Sequence, residues 1–198
     1  MSREIMTYSG KMFDFWKPTI ESICIKDIAH ALSLTNRYGG HTIVPYSVAE
    51  HSVRMSHIEG VDALACLLHD AAEAYIGDIP SPQKEGLKWV FSPYYEEGCL
   101  MRYYKNVEYE ITLAIYEALN VLESYNGPFS EGVKKADKIM LATEIRDLMP
   151  PHAATVFVSY LENVEPLMTR IIPWSWQTAQ ARFLHRFEEL THGKSTNE

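Results

Sequence analysis

The segment LACLLHDAAEAYIGD, residues 64–78, places several ionisable side chains within an apolar helical pattern. His69 and Asp70 are about 100° apart around a helix axis, so both can face one point beside the helix. Glu73 follows His69 by four residues and therefore lies on the same face. Because charged groups are costly to bury without partners, this face predicts a bound cation.

Two further side chains on other predicted helices extend this set. His51 lies near the start of a preceding helix, and Asp137 lies on the apolar stripe of a later one. Taken singly, Asp137 could pair with a buried Arg or Lys, and His51 could be an ordinary structural histidine. Taken together with His69 and Asp70, they favour a site for Zn, Co, Mn or Fe with positions left for water and substrate.

The elements that would position these residues are almost all helical. Apolar residues at helical spacing predict a helix over residues 24–38 that ends at Gly39–Gly40, and a helix capped by Ser47 and Glu50. A third helix begins near residue 60 or 62 and stops at Gly77. Later helices are predicted over residues 93–106 and 107–122 (one broken helix or two consecutive ones), 133–149, 153–164 and 178–190.

The fold class that follows is all-α, with a small β-hairpin over residues 7–15 and loops at residues 78–86 and 126–132. No strand alternates with helices in the way that a parallel sheet requires. At 198 residues the chain is expected to form one domain, 1–198, with a core over residues 25–148 and C-terminal helices over 152–192. Trp174 and Trp176 are expected to anchor the last helix.

Composition narrows the classes of partner. The net charge of −8 argues against broad binding to a nucleic-acid polymer, which requires a basic surface. No apolar stretch is long enough for a membrane span or a signal peptide. The three cysteines, Cys24, Cys66 and Cys99, are odd in number and widely spaced, as is typical of buried thiols. We therefore expect a soluble, cytoplasmic protein.

Four pieces of the chain, NRYGGHT (36–42), YSVAEHSV (46–53), LLHDAAEAYIGD (67–78) and ADKIMLATEIRDLM (136–149), resemble the HD-domain metal-dependent phosphohydrolases. The likeness spans roughly residues 25–148 and is closest to the small bacterial and phage branch, which includes 5'-deoxynucleotidases and phage dATP triphosphohydrolases. It implies a catalytic divalent metal, a deoxynucleotide substrate cleaved at its 5' phosphoester, and a symmetric homo-oligomer.

The resemblance also implies roles for individual residues. His51, His69, Asp70 and Asp137 match the metal ligands, Glu73 matches the catalytic acid or base, and Asp78 matches a second active-site carboxylate. Arg37 matches a phosphate-binding arginine, although a solvated arginine is the alternative. Tyr38 could stack on the base or only pack, and the candidates for further phosphate contacts are His41 and Lys84. Glu144 is expected to form a structural ion pair with an arginine.

The resemblance favours a dATP triphosphohydrolase that uses Zn, Co or Mn, with Mg accompanying the phosphates. A 5'-deoxynucleotidase acting on monophosphates is the first alternative, because both enzymes break the same linkage. A phosphohydrolase for cyclic or (p)ppGpp-type nucleotides is the second. The third is a non-catalytic protein that binds nucleotides as a sensor.

Overall fold

Seven α-helices and one small sheet make up the part of the chain that the computed structural model describes, residues 4–84, 99–122, 130–152, 161 and 163–192. This confirms the predicted all-α class with an N-terminal hairpin. Short 3-10 turns cover Ile20–Ser22 and Arg37–Gly40. The elements are β1 (Glu4–Met6), β2 (Met12–Asp14), α1 (Ile25–Leu34), α2 (Val48–Met55), α3 (Ala63–Leu68), α4 (Glu73–Ile76), α5 (Cys99–Ala118), α6 (Glu131–Leu148) and α7 (Trp176–His192).

The hairpin pairs β1 and β2 antiparallel, with Ile5 opposite Phe13, and its first strand begins three residues before the predicted range. Phe13 is buried in the core. The turn is fixed to α1 by the buried carboxylate of Asp27, which accepts hydrogen bonds from the Thr7 hydroxyl and from the amide and hydroxyl of Ser9. These bonds attach an otherwise marginal two-stranded element to the helical core.

Helix α7 packs against α1, α2 and α3, and α2 also packs against α6. Two apolar clusters result. The larger one joins the hairpin to α1, α2, α3, α5 and α7, and the smaller one lies between α2, α3 and α6. Ser47 caps α2 as predicted, since its hydroxyl accepts from the Glu50 amide. Helix α2 therefore lies at the centre of the packing and presents side chains to both clusters.

The first predicted helix is shorter than expected. Helix α1 ends at Leu34, four residues before the predicted end at residue 38. Asn36 is extended and forms an isolated β-bridge with Ser47, so the backbone has left the helix before the glycine pair. Tyr38 and Gly39 then adopt positive φ angles of 58° and 59° within a 3-10 turn. This loop brings the residues after α1 back toward the start of α2.

The third predicted helix is broken at the predicted metal ligands His69 and Asp70. Helix α3 ends at Leu68 and α4 begins at Glu73, so one continuous helix up to Gly77 was a wrong prediction. Across the break, the amides of Ala71 and Glu73 bond to carbonyls three residues earlier, a tighter turn than in an α-helix. The Cys66 carbonyl meanwhile accepts from the His69 ring.

In the tyrosine-rich region, α5 is one continuous helix from Cys99 to Ala118 rather than two. The predicted helical residues 93–98, and most of 153–164, lie outside the described residues. Helix α6 stops before Pro150, and α7 covers the last predicted helix. Cys66 is buried, whereas Cys24 is half-buried. Within the described ranges, no helix combines the length and hydropathy needed to cross a membrane.

Candidate metal centre

Three of the four predicted ligands meet at one point between α2, α3 and α6. His51 on α2, His69 directly after α3, and Asp137 on α6 each offer a ligand atom, and these atoms lie within 4.8 Å of one another. The Nε2 atom of His51 is 3.4 Å from Nε2 of His69 and 3.4 Å from an Asp137 carboxylate oxygen. Three segments far apart in sequence therefore supply one set of nitrogen and oxygen donors.

The fourth predicted ligand, Asp70, lies beside this set. Its Oδ2 atom is 2.9 Å from Nε2 of His69 and 3.3 Å from a guanidinium nitrogen of Arg37. Although burial opposes ionisation, the positive charges of His69 and Arg37 hold the pKa of Asp70 well below its usual range. Asp70 is thus an ionised carboxylate that contacts Nε2 of His69, the nitrogen that also faces His51.

Both imidazole rings are oriented by a bond on their far side. Nδ1 of His69 donates to the Cys66 carbonyl at 2.8 Å, and Nδ1 of His51 donates to the Glu144 carboxylate at 2.6 Å. In each ring Nε2 is therefore the nitrogen that faces the cluster. Metal-binding histidines characteristically donate their second N–H to a carboxylate or a backbone carbonyl, which fixes the tautomer and the ring orientation.

The electrostatics of the cluster favour a positive charge at this point. Burial and the charge of Arg37 oppose protonation of His51, but the carboxylates of Glu144 and Asp137 outweigh them and raise its pKa to about 9. Burial likewise opposes ionisation of Asp137, yet His51 and Arg37 lower its pKa. Imidazole nitrogens and carboxylate oxygens are common ligands of divalent cations, and the carboxylates also compensate the positive charge. The donor set therefore fits such an ion.

Arg37 lies inside the cluster, with its side chain 13% exposed. Its guanidinium is 3.3 Å from Asp70, 3.3 Å from Glu144 and 3.9 Å from Asp137. Backbone contacts position it, because its amide bonds to the Tyr46 carbonyl. The alternative of a solvated arginine is wrong, since Arg37 is held against three carboxylates.

Glu73 and Asp78 add two further carboxyl groups next to Asp70. Glu73 is buried, and among the described residues its Oε2 atom has no hydrogen-bond partner. Burial and the charges of Asp70 and Asp78 raise the pKa of Glu73 well above its usual value. Burial also raises the pKa of Asp78. A buried carboxyl group with a raised pKa and a free oxygen is typical of an acid–base residue.

The remaining predicted residues have different surroundings. Tyr38 is half-buried and its hydroxyl donates to Glu144, so it packs within the cluster. Lys84 forms an ion pair with Glu108 at 3.5 Å, and its charge acts on Glu73 and Asp78. His41 is exposed, and no described hydrogen bond or ion pair joins its side chain to the cluster.

Comparison with known proteins places the chain beside relatives of similar length. It is 36% identical over 189 residues to the uncharacterized protein YfdR of Escherichia coli K12, covering 94% of this chain and 95% of that protein. The chain belongs to the YfdR family. The uncharacterized protein RCAP_rcc00048 of Rhodobacter capsulatus is 29% identical over 150 residues, covering 71% of this chain and 70% of that protein. No family model matches the chain.

In this member of the YfdR family, Glu144 forms more contacts than the single ion pair predicted for it. The pair with Arg37 is present, but the carboxylate also accepts from His51 Nδ1 and from the Tyr38 hydroxyl. Its position is readable in the sequence, because it follows Asp137 by two helical turns on the same inward face. The role of the Cys66 carbonyl has no sequence signal, since every residue carries a carbonyl.

Proposed function

We propose that this protein is a metal-dependent phosphohydrolase with an HD domain, and that it cleaves the 5' phosphoester of a 2'-deoxynucleotide. Its most favoured reaction is that of a dATP triphosphohydrolase, which releases deoxyadenosine and triphosphate. One observation carries the proposal: His51, His69 and Asp137, from three separate segments, converge within 4.8 Å with both imidazoles oriented through Nδ1.

The metal would be held by His51, His69, Asp70 and Asp137. A divalent ion at such a site polarises a phosphoryl oxygen and makes a coordinated water more acidic. Glu144 and the Cys66 carbonyl keep the two Nε2 atoms directed at it, because each occupies the opposite nitrogen of its ring.

Glu73 is the proposed acid–base residue. Its raised pKa keeps a proton on the carboxyl group, and its unpartnered oxygen is available to a substrate or a water molecule. In hydrolysis, a water oxygen would bond to the phosphorus that carries the 5' oxygen while the P–O5' bond breaks. Glu73 would donate its proton to the departing 5' oxygen, so that the deoxynucleoside leaves as a neutral alcohol, and would regain a proton from the attacking water. Asp78, which raises the pKa of Glu73 by its charge, would hold a water or a sugar hydroxyl beside it.

Arg37 is the proposed phosphate ligand. Its planar guanidinium can donate two parallel hydrogen bonds to phosphate oxygens, a geometry that lysine does not offer. The carboxylates of Asp70 and Glu144 hold it at the edge of the ligand set. Tyr38 supports this arrangement through its hydroxyl bond to Glu144 rather than through a contact with the base.

The test combines metal analysis with a nucleotide panel. The purified protein is assayed for bound Zn, Co, Mn and Fe, then incubated separately with dATP and dAMP, with His69→Ala as the inactive control. Bound metal and release of inorganic triphosphate from dATP support the proposal. Turnover of dAMP alone makes the protein a 5'-deoxynucleotidase. Nucleotide binding without any turnover refutes the proposed enzymatic activity and supports the alternative of a nucleotide-binding sensor.

A further inference from the structure

A second charged region lies along helix α2 and shares no lining residue with the metal centre. It is a groove of about 790 Å³ between α2, α7 and the segment over residues 167–174. Its charged and aromatic lining consists of Arg54, His57, Trp174, Arg182, Arg186 and Glu189, together with His185. Its three guanidinium groups outnumber the Glu189 carboxylate and the Glu50 carboxylate that pairs with Arg54, which leaves an excess of one positive charge in a chain whose net charge is −8.

The imidazole of His57 interacts with the charged groups of the groove. Partial burial and the charges of Arg186 and Arg182 lower the pKa of His57, and the opposing charge of Glu189 does not cancel them. His57 therefore lies within the field of Arg186 and Arg182, and its ring reports on charge in this groove.

Two of the guanidinium groups are fixed before any ligand arrives. The buried Glu50 carboxylate accepts from Arg54 at 2.7–2.8 Å and from the Trp174 amide at 2.7 Å. Arg186 donates to both the hydroxyl and the carbonyl of Ser56, and its third bond goes to the Glu189 carboxylate at 3.1 Å. Side chains that are already ordered lose little conformational entropy when they bind, so the groove is preorganised for an anion.

The third guanidinium is held but not neutralised. Arg182 is exposed on α7 and lies 4.2 Å from the centre of the Trp174 ring, which also contacts Arg54 at 4.6 Å. No carboxylate of the described residues is within ion-pair distance of Arg182. Stacking on an aromatic ring orients a guanidinium while its in-plane N–H groups stay free to donate.

We propose that this groove is a second binding site, which takes a small phosphate-bearing anion between Arg182 and Arg186. Phosphate fits better than a carboxylate, because it carries more charge and more acceptor oxygens for several guanidinium groups at once. The groove is also large enough for a phosphate carried by a larger molecule. The inference does not depend on the proposed hydrolase, since none of the lining residues belongs to the metal centre.

The test follows the histidine ring signals by NMR while inorganic phosphate is added to the full-length protein, with chloride holding the ionic strength constant. Binding in the groove is expected to shift the His57 signal in a saturable way and to raise the pKa of His57. Binding at the metal centre would instead shift His51 and His69. If the His57 signal does not move, the proposal is wrong.

Variants locate the site further. Arg182→Gln is expected to weaken phosphate binding about tenfold, because it removes a charge-assisted donor from an exposed position without disturbing the fold. Arg182→Lys keeps the charge, so its phosphate affinity should lie between those of wild type and Arg182→Gln. Lys17→Gln removes one positive charge from an exposed position outside the groove and should leave the affinity unchanged. Equal affinity for Arg182→Gln and wild type would overturn the proposal.

Discussion

Helix α6 carries two clusters of charged side chains that differ in how their bonds are satisfied. At its C-terminal end, the buried Asp147 carboxylate accepts two bonds from Arg146 at 2.7 Å, one from Arg170 at 2.6 Å and one from the Ile171 amide at 2.9 Å. One turn earlier the Glu144 cluster begins. It extends to Asp137 and the facing Nε2 atoms of His51 and His69, and Glu73 Oε2 nearby has no described partner.

The difference separates a structural cluster from the candidate metal centre. Asp147 accepts from Arg170 and the Ile171 amide, and Arg146 donates to the Leu167 and Thr169 carbonyls, so that this cluster holds the segment over residues 167–171 against α6. Around His51, by contrast, the Nε2 atoms of two imidazoles face each other at 3.4 Å beside Asp137 and Asp70, and Glu73 Oε2 has no hydrogen-bond partner among the described residues. A carboxylate that is completely bonded stabilises the fold, whereas converging and incompletely bonded groups indicate a binding site.

The largest expected effect follows from the removal of a proposed metal ligand. His69→Ala or Asp70→Ala should lose bound metal and reduce hydrolysis by at least about a thousandfold, because the ion and its activated water are lost together. Metal content by mass spectrometry and deoxynucleotide turnover measure the two effects. Asp147→Asn, altered in the other cluster of the same region, should keep its metal. A His69→Ala protein that retains full metal content would remove His69 from the ligand set.

The next effect concerns Glu73 alone. Glu73→Gln should keep the metal but lower kcat on the order of 10²- to 10⁴-fold, the usual contribution of a positioned acid or base. Because Glu73 Oε2 has no described partner, the amide should not reduce the free energy of unfolding. Turnover, metal content and urea denaturation are measured on the same preparation. Activity within a few-fold of wild type would show that Glu73 has no part in proton transfer.

A smaller effect is expected from the residue that links the ligand set to Arg37. Glu144→Gln leaves an acceptor for His51 Nδ1 but removes its charge, so metal affinity should fall about 10- to 100-fold. Competition with a chelator measures this affinity. Tyr38→Phe is the matched control, because it removes only one hydroxyl bond to the same carboxylate and should change the affinity less. Equal losses for both variants would mean that packing rather than charge matters at Glu144.

Periodicity predicted the helices well where their sides are plainly apolar or polar. Helix α6 and the capped start of α2 follow directly from spacing and from Ser47. The ends of α1 and α3 were missed, because tertiary bonds decide them. Beyond the end of α1, Asn36 pairs with Ser47, and after α3 the His69 ring donates to the Cys66 carbonyl. Local propensity contains no information on a partner that lies elsewhere in the chain.

The convergence of His51, His69 and Asp137 was predictable, since inward-facing polar residues on separate helices have few alternatives in an apolar core. The detailed bonding was not. Sequence spacing places Glu144 on the correct face but does not distinguish a contact with Arg37 from a bond to His51. In the structure, Glu144 forms both. The groove of Arg54, Arg182 and Arg186 was missed entirely, because these residues are dispersed between α2 and a helix more than a hundred residues later.

The smallest expected effect on activity is at Asp147, where stability should change instead. Asp147→Asn removes the charge of a carboxylate that accepts four hydrogen bonds, three from guanidinium groups and one from an amide, and should lower the free energy of unfolding at neutral pH by about 2 kcal/mol. Deoxynucleotide turnover of the folded variant should match wild type. Urea denaturation of the metal-free proteins measures the difference without a contribution from the ion.

The pH dependence of that difference identifies its cause. Although burial opposes ionisation, the bonds from Arg146, Ile171 and Arg170 hold the pKa of Asp147 well below its usual range. A carboxylate whose pKa is lowered by folding stabilises the protein above its unfolded pKa, near 4, and loses this effect as the pH falls toward the folded value. The gap between wild type and Asp147→Asn should therefore be largest at neutral pH and narrow below about pH 4. A gap that stays constant over this range would mean that Asp147 stabilises the segment through its shape, and the contrast with the Glu144 cluster would then no longer rest on charge.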